Sequence, residues 1–151
     1  MQAQIALRVV AGYGIEGDRY ATGLGHWSYA PRFTSHITFI ETETIERVAA
    51  SSGAPFSASE SRRNVVTRDV RLLELIGRSF AIGSAVFEGE RSCEPCTYLD
   101  GLLGKAVRRH LAVDGGGLRA RVVASGELRV GAAIDVGHAA GAGLRLSDTV
   151  L

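Results

Sequence analysis

Cysteine is scarce in this chain, since Cys93 and Cys96 are the only two in 151 residues. Two cysteines three positions apart are too few for the disulfide framework of a small secreted domain. A hydrophobic content of 46% is sufficient for one domain with its own core, so no such framework is needed. The two cysteines are therefore expected to be reduced thiols with a chemistry of their own.

An excess of charge and long apolar runs are also missing. Seventeen basic residues face 16 acidic ones, and a formal net charge of +1 creates no general field for nucleic acid or anionic membrane. No run approaches the roughly 20 apolar residues that span a bilayer, and the first residues lack the pattern of a signal peptide. The expectation is a cytoplasmic protein, monomer or homodimer, without nucleic-acid or membrane partners.

Short runs rich in Val and Ile, separated by many of the 19 glycines, predict a mainly β fold. The predicted strands are 5–10, 36–40, 64–67, 79–82, 85–88, 118–124 and 127–130. Gly83-Ser84 is predicted to join two of them tightly, and Ser125-Gly126 to close a hairpin between the last two. A single domain over residues 1–138 is expected, followed by a C-terminal tail over 139–151.

Helical patterns interrupt the strands in three places. Ile45, Val48 and Ala49 lie at i, i+3 and i+4 before Gly53, which predicts a helix from Thr42. Apolar residues at helical spacing predict one helix over 99–111. A short turn over 72–76, ended by a glycine, is also expected.

The segment Cys93-Glu94-Pro95-Cys96 falls between a predicted strand and a predicted helix. A thiolate is both a nucleophile and a soft metal ligand, and Arg91 or the start of the helix would favour its formation. Two small buried side chains are the plain alternative. A structural zinc site is disfavoured because a second cysteine pair is lacking, and a thioredoxin-type pair because the surroundings are β-rich.

Three further segments carry candidate binding residues. Asp18 and Arg19 follow a glycine-rich turn, and either pair with each other or hold a polar ligand. Arg62, Arg63 and Asn64 enter a predicted strand, where only one of the two arginines can face a shared pocket. Gly116 and Gly117 lead into a strand with two arginines on one face, starting with Arg119, and such a loop can cradle an anion. In each case a plain surface turn or surface arginine is the alternative.

Taken in order, the segments GIEGDRY, ESRRNVVTR, LLELIGRSFAIG, CEPC and GGLRARVV resemble the MOSC family, named for the C-terminal domain of molybdenum-cofactor sulfurases. The resemblance covers roughly residues 10 to 136. It implies a closed or partly open β-barrel with a few short helices, and one family cysteine following a proline, which here is Cys96.

The resemblance also implies roles. Cys96 would carry sulfur as a persulfide or ligate the metal of a molybdenum cofactor (molybdopterin). The candidates for holding that cofactor are Arg62, Arg63, Asn64, Arg119, Gly116, Gly117, Asp18 and Arg19. Cys93 lies outside the family pattern, and its spacing leads to the hypothesis that it attacks a Cys96 persulfide, releasing sulfide and leaving a Cys93–Cys96 disulfide.

Three functions follow from these expectations. The first is a carrier or binding module that passes sulfur or cofactor to a partner, such as a cysteine desulfurase or a molybdoenzyme. The second is the molybdenum-dependent reductase component for N-hydroxylated compounds, which would need a partner as electron donor because no ferredoxin-type or dinucleotide motif is present. The third is a barrel used only for protein contacts, which a deeply buried Cys96 would favour.

Overall fold

A computed structural model describes residues 5–17, 36–137 and 145–150 of the chain. Within them the strands are β1 (Ala6–Val10), β2 (Gly14–Ile15), β3 (Ile37–Glu41), β4 (Val65–Arg68), β5 (Ser79–Ile82), β6 (Ala85–Ser92), β7 (Leu118–Ala124), β8 (Gly126–Arg129), β9 (Ile134–Asp135) and β10 (Arg145–Val150). The helices are α1 (Thr42–Ser52), α2 (Ala58–Ser61), α3 (Thr97–Leu103) and α4 (Arg108–Leu111), with 3-10 turns at Leu72–Leu75 and Ala112–Asp114. The mainly β prediction is confirmed.

Two sheets organise the fold. The larger has the order β10-β4-β3-β7-β6-β5-β9 and curls strongly into a half-barrel, and the smaller has the order β2-β1-β8. Neighbouring strands are antiparallel except β3 and β4, which are parallel because α1 and α2 form the crossover between them. The predicted barrel with a few short helices is thus confirmed as a curled, open sheet.

The two faces of the larger sheet bury two separate apolar clusters. The first contains Phe39, Phe80 and Phe87, whose ring centroids lie 5.3–5.5 Å apart. The second lies under the helices, where Ile40 of β3 and Leu99 of α3 are both buried. Successive strand residues point to opposite faces, which is why neighbours on β3 belong to different clusters.

The helix predicted from Thr42 is confirmed as α1, which ends at Gly53 in a left-handed conformation with φ 69°. The predicted turn before Gly77 and the tight connection at Gly83-Ser84 are confirmed as well, because Ile82 pairs with Ala85. No helix in these three stretches of chain is long and apolar enough to cross a bilayer.

The single helix predicted over 99–111 is wrong. The chain leaves α3 at Gly104, whose φ is 67°, and re-enters a helix at α4. The carboxylate of Asp100 stabilises this break by accepting hydrogen bonds from the backbone N–H groups of Val107 (2.9 Å) and Arg108 (2.8 Å). Leu99, Val107 and Leu111 are buried in one cluster. The apolar spacing therefore identified buried residues although the helix is interrupted.

The predicted hairpin around Ser125-Gly126 is also wrong. The strands β7 and β8 do occur, but β8 pairs with β1, with Leu128 opposite Leu7. Both edges of β7 are already occupied, by β6 on one side and by β3 on the other. Beyond the end of β3, His36 Nδ1 accepts the Val122 N–H and the Gly12 N–H donates to the Val122 carbonyl. Since β7 has no free edge, β8 must find another partner.

The tail predicted from residue 139 contains β10, which pairs antiparallel with β4 at the edge of the larger sheet. Arg145 lies opposite Arg68 and Val150 opposite Val65, with a register irregularity between these pairs. The residues between 137 and 145 lie outside the described part of the chain. The larger sheet therefore includes residues of this predicted tail.

Candidate functional site

The two cysteines lie in a loop that joins β6 to α3, and they have different environments. The side chain of Cys93 is buried, with 1% of its surface exposed, whereas Cys96 is partly exposed. Cys96 is the residue that immediately precedes α3, with extended backbone angles, and its thiol makes no capping hydrogen bond. The predicted position of the thiol between strand and helix is confirmed, and Cys96 is the cysteine that solvent can reach.

The glycine loop before β7 packs directly against the cysteine loop. The Cys93 N–H donates to the Gly117 carbonyl at 2.8 Å. A Cβ atom at Gly116 would lie 2.7 Å from the Cys93 carbonyl oxygen and 2.9 Å from Pro95 Cδ. A Cβ atom at Gly117 would lie 2.2 Å from the Phe39 carbonyl oxygen. These glycines are required because neighbouring backbone occupies the space of any side chain.

Arg63 links the glycine loop to the cysteine loop through hydrogen bonds. It is 7% exposed, and its guanidinium donates to three backbone carbonyls: from Nε to Gly116 (3.0 Å), from Nη2 to Cys93 (2.7 Å) and from Nη1 to Ser61 (2.9 Å). A planar guanidinium suits this task because its donors have a fixed fork geometry. Arg63 is thus the arginine of the pair that reaches the cysteine loop, and its described bonds all go to the protein itself.

The other members of the ESRRN segment are placed differently from the prediction. β4 begins at Val65, so Arg62 and Arg63 lie in the connection before the strand, and Arg62 ends α2 in a left-handed conformation with φ 60°. Asn64 Oδ1 accepts from both the backbone N–H and the hydroxyl of Thr38, at 2.8 Å each. Asn64 therefore joins the starts of β3 and β4.

Arg119 lies on the face of β7 opposite to the aromatic cluster, because its neighbours Leu118 and Ala120 are buried in that cluster. In the strand register, Arg119 is directly opposite Thr38 of β3 and Arg91 of β6. Directly opposite side chains share a face and interact. Arg119 and Arg91 therefore lie side by side on the face of the sheet that also carries the helices.

A second cross-link joins α2 to the connection after α3. Lys105, the single lysine of the chain, donates from Nζ to Glu60 Oε1 at 2.6 Å and to the Pro55 carbonyl. Glu60 also forms a capping box with Ser57 at the start of α2. The hydrogen bond from Lys105 is the main reason why the pKa of Glu60 lies below its ordinary value.

The structure thus brings Arg63, Gly116 and Gly117 together with the loop that carries Cys96. Thr38 connects the other two predicted residues, because it is hydrogen-bonded to Asn64 and lies opposite Arg119 in the strand register. Asp18 and Arg19 lie outside the described residues. Thr38, Glu60 and Lys105 were not predicted. The motif Ser57-x-x-Glu60 is a known helix-start signature and could have revealed the capping box, but no local pattern links Glu60 to Lys105.

In the described part of the chain, no group of three or more His, Cys, Asp or Glu side chains is placed to hold a metal ion.

A scan against protein-family models matches residues 25–135 to the MOSC domain. The chain belongs to the MOSC domain family. The match covers the cysteine loop, the glycine loop and Arg63, and it confirms the resemblance found in the sequence. Membership of this family makes the chain a molybdenum-cofactor-related domain.

Solved structures support the fold of this MOSC domain. The YuaD protein from Bacillus subtilis aligns with a TM-score of 0.68 and 18% identity, over 85% of this chain and 82% of that one. YiiM from Escherichia coli aligns with a TM-score of 0.69 and 18% identity, over 99% of this chain and 68% of that one. YiiM from Geobacillus stearothermophilus aligns with a TM-score of 0.60 and 19% identity, over 69% and 55%. A comparison with curated protein sequences finds no match.

Proposed function

We propose that this MOSC domain is a carrier or binding module that holds sulfur, or the molybdenum cofactor, at Cys96 and passes it to a partner protein. The observation that carries the proposal is the contrast between the two thiols. Cys96 is partly exposed and not engaged in capping α3, whereas Cys93 is buried and its backbone is bonded to Arg63 and Gly117. The backbone of Cys93 fixes the loop, and the side chain of Cys96 offers its sulfur atom to a partner protein.

For sulfur, the step is an exchange between thiols. The Cys96 thiolate attacks the outer sulfur of a persulfide on a cysteine desulfurase, a new S–S bond forms at Cys96, and the donor's S–S bond breaks to release its thiolate. The number of persulfides is unchanged, so no external oxidant or reductant is needed. The burial of Cys93 argues against a direct role for it in removing the sulfur again, since that reaction requires the Cys93 thiol to reach the persulfide.

For the cofactor, the residues present fit a group that carries its own metal ligands and an anionic part. Cys96 would supply one soft thiolate to the metal. Arg119 and Arg62 are the candidates for the anionic part, with Asn64, Gly116 and Gly117 beside them, and Asp18 and Arg19 remain predictions. Arg63 would act on the loops rather than on the ligand, because its described bonds go to backbone carbonyls. The cofactor itself would supply a redox-active metal.

Two experiments on the full chain test this proposal. In the first, the protein is purified from cells competent in molybdenum-cofactor synthesis, and bound molybdenum and pterin are measured. In the second, a cysteine desulfurase and labelled cysteine are added, and the label on Cys96 is measured by peptide mass spectrometry. We expect Cys96→Ser to abolish labelling or metal binding, and the matched Cys93→Ser variant to retain it.

The outcomes distinguish the candidate functions. Labelled sulfur on Cys96 without bound molybdenum supports the sulfur-carrier function. Metal without sulfur supports a cofactor-binding module, and reduction of an N-hydroxylated compound by that preparation with an added electron donor would establish the reductase alternative. If neither sulfur nor metal is found on the parent protein, or if Cys96→Ser behaves like the parent, the proposal is wrong.

A further inference from the structure

The part of the chain that carries Cys96 is held at its beginning by Arg63. We call residues 93–105 the cysteine arm, because they contain the cysteine loop, α3 and the connection up to Lys105. At the start of this arm, the Cys93 carbonyl accepts a hydrogen bond from Arg63 Nη2 at 2.7 Å. The same guanidinium holds the Gly116 carbonyl, so the start of the arm is fixed to the glycine loop as well.

The end of the cysteine arm is held by a second cation. Lys105 Nζ donates to Glu60 Oε1 at 2.6 Å and to the Pro55 carbonyl. The side chains of Lys105 and Glu60 are 24% and 32% exposed, so this pair is partly shielded from solvent. Glu60 is fixed in turn by its capping box with Ser57, which leaves the carboxylate little freedom to follow a moving lysine.

The partners of both ends of the arm, Arg63 at one end and Pro55 with Glu60 at the other, belong to one short segment, residues 55–63. That segment also reaches the middle of the arm, because Phe56 and Leu99 are buried in the same apolar cluster. α3 has seven residues and is too short to be stable in water without tertiary contacts. The conformation of the arm, and with it the position of the Cys96 thiol, therefore depends on tertiary contacts, and these three attachments are among them.

We propose that segment 55–63 is the positioning element of Cys96, with Arg63 and Lys105 as positioning residues at the two ends of the cysteine arm. The proposal rests on the proposed function only in treating Cys96 as the working residue. Weakening either anchor increases the fraction of time in which the arm is open. An open arm exposes the thiol to small reagents but presents it less well to a protein donor, which needs a defined geometry.

Two variants test the Lys105 anchor with little damage elsewhere. Glu60→Gln removes the carboxylate charge while glutamine at this position still completes a capping box. Lys105→Gln removes the other partner. The measurement is the second-order rate constant for alkylation of Cys96 by iodoacetamide between pH 6 and 9, followed by peptide mass spectrometry so that Cys96 and Cys93 are read separately.

We expect both variants to alkylate Cys96 about two- to fivefold faster than the parent, the range that a partly exposed ion pair allows. Their sulfur loading by a cysteine desulfurase is expected to be slower. The double variant should resemble Lys105→Gln, which already removes the bond to Glu60 together with the bond to the Pro55 carbonyl. Glu127→Gln is the matched control, since it breaks the Arg129–Glu127 ion pair in the other sheet and should leave both rates unchanged. Alkylation of the buried Cys93, read in the same experiment, separates the two causes, because a general loss of stability would accelerate alkylation of Cys93 as well.

Arg63→Lys tests the other anchor. A lysine cannot hold three carbonyls from three segments, so we expect a larger increase in alkylation than with Lys105→Gln. This change leaves buried carbonyls unsatisfied and can unfold the chain. The milder variants Glu60→Gln and Lys105→Gln therefore decide whether segment 55–63 positions Cys96.

The proposal is overturned if these two variants alkylate Cys96 at the parental rate with the parental pH profile. Alkylation needs neither sulfur nor metal, so this result is distinct from a failure of the proposed function. If the protein takes up neither sulfur nor metal but its variants show the expected alkylation rates, the positioning element is supported and the proposed carrier function is wrong.

Discussion

At the scale of single residues, the environment of a side chain decided its role more than its type did. Arg63 is a predicted cofactor-binding residue, and in the structure its guanidinium binds backbone carbonyls of three segments. Cys93 and Cys96 are chemically identical, and burial alone separates the structural thiol from the exposed one. Arg62 and Arg63 are adjacent and of the same type, so a local pattern does not show that Arg63 binds the Cys93 carbonyl, and the fold decides it.

His36 illustrates the same point and leads to a prediction about pH. Its Nδ1 accepts the Val122 N–H at 3.0 Å, so the neutral ring completes a backbone hydrogen bond. Burial lowers the pKa of His36 from 6.5, Arg121 acts in the same direction, and Glu90 opposes them. As the pH falls from 6.5 toward the lowered native pKa, the unfolded chain takes up this proton before the native one does. The free energy of unfolding therefore decreases in that window.

This decrease can be measured as the urea midpoint of unfolding between pH 7.5 and 5. In His36→Gln, which has no titrating ring, the contribution of this site disappears, and the curve should be flatter from pH 6.5 downward. Equal slopes for parent and variant would show that His36 does not contribute.

At the scale of elements, close approaches of backbone position the site. The glycine loop touches the cysteine loop and β3, and neither contact leaves room for a side chain at Gly116 or Gly117. Asp114, just before this loop, is held on α1 by Arg47 at 2.8 Å and Thr44 at 3.1 Å. α1 therefore helps to place the glycine loop although it lies outside the loops that form the site.

Two glycines near the site should respond to alanine in opposite directions. Gly117 has φ 113° and a carbonyl oxygen 2.2 Å from its would-be Cβ, so Gly117→Ala should lower the free energy of unfolding by about 2–3 kcal/mol. Gly101 lies in α3 with nothing within 4 Å, so Gly101→Ala should raise it by about 0.5–1 kcal/mol. Urea unfolding measures both, and a neutral Gly117→Ala would contradict the close approach to Phe39.

At the scale of the whole molecule, the larger sheet has β10 as one of its edges, formed by residues near the end of the chain. β10 covers the side of β4 that would otherwise expose unpaired backbone groups, and β4 follows directly after Arg63 and Asn64. An uncovered strand edge pairs readily with other chains. The last strand thus protects the element next to the site.

Deleting residues 138–151 should therefore lower the urea midpoint and promote self-association, because it uncovers β4. Sedimentation velocity at several concentrations measures the association, and a variant deleted only at residue 151, after β10, serves as control. If the longer deletion stays as stable and as monodisperse as the control, β10 has no protective role.

The chain's pattern of residues was sufficient to identify seven strands, α1, the turn before Gly77, the position of the thiol loop and the family. These features depend on periodicity, turn residues and short motifs, which act between residues close in sequence. Only tertiary structure decided that β8 joins β1, that α3 and α4 are separate, and that Arg63 and Lys105 hold the two ends of the cysteine arm. Each of these depends on a partner far away in the chain, such as the occupied edges of β7 or the carbonyl of Cys93. Such partners become neighbours only when the sheets have formed.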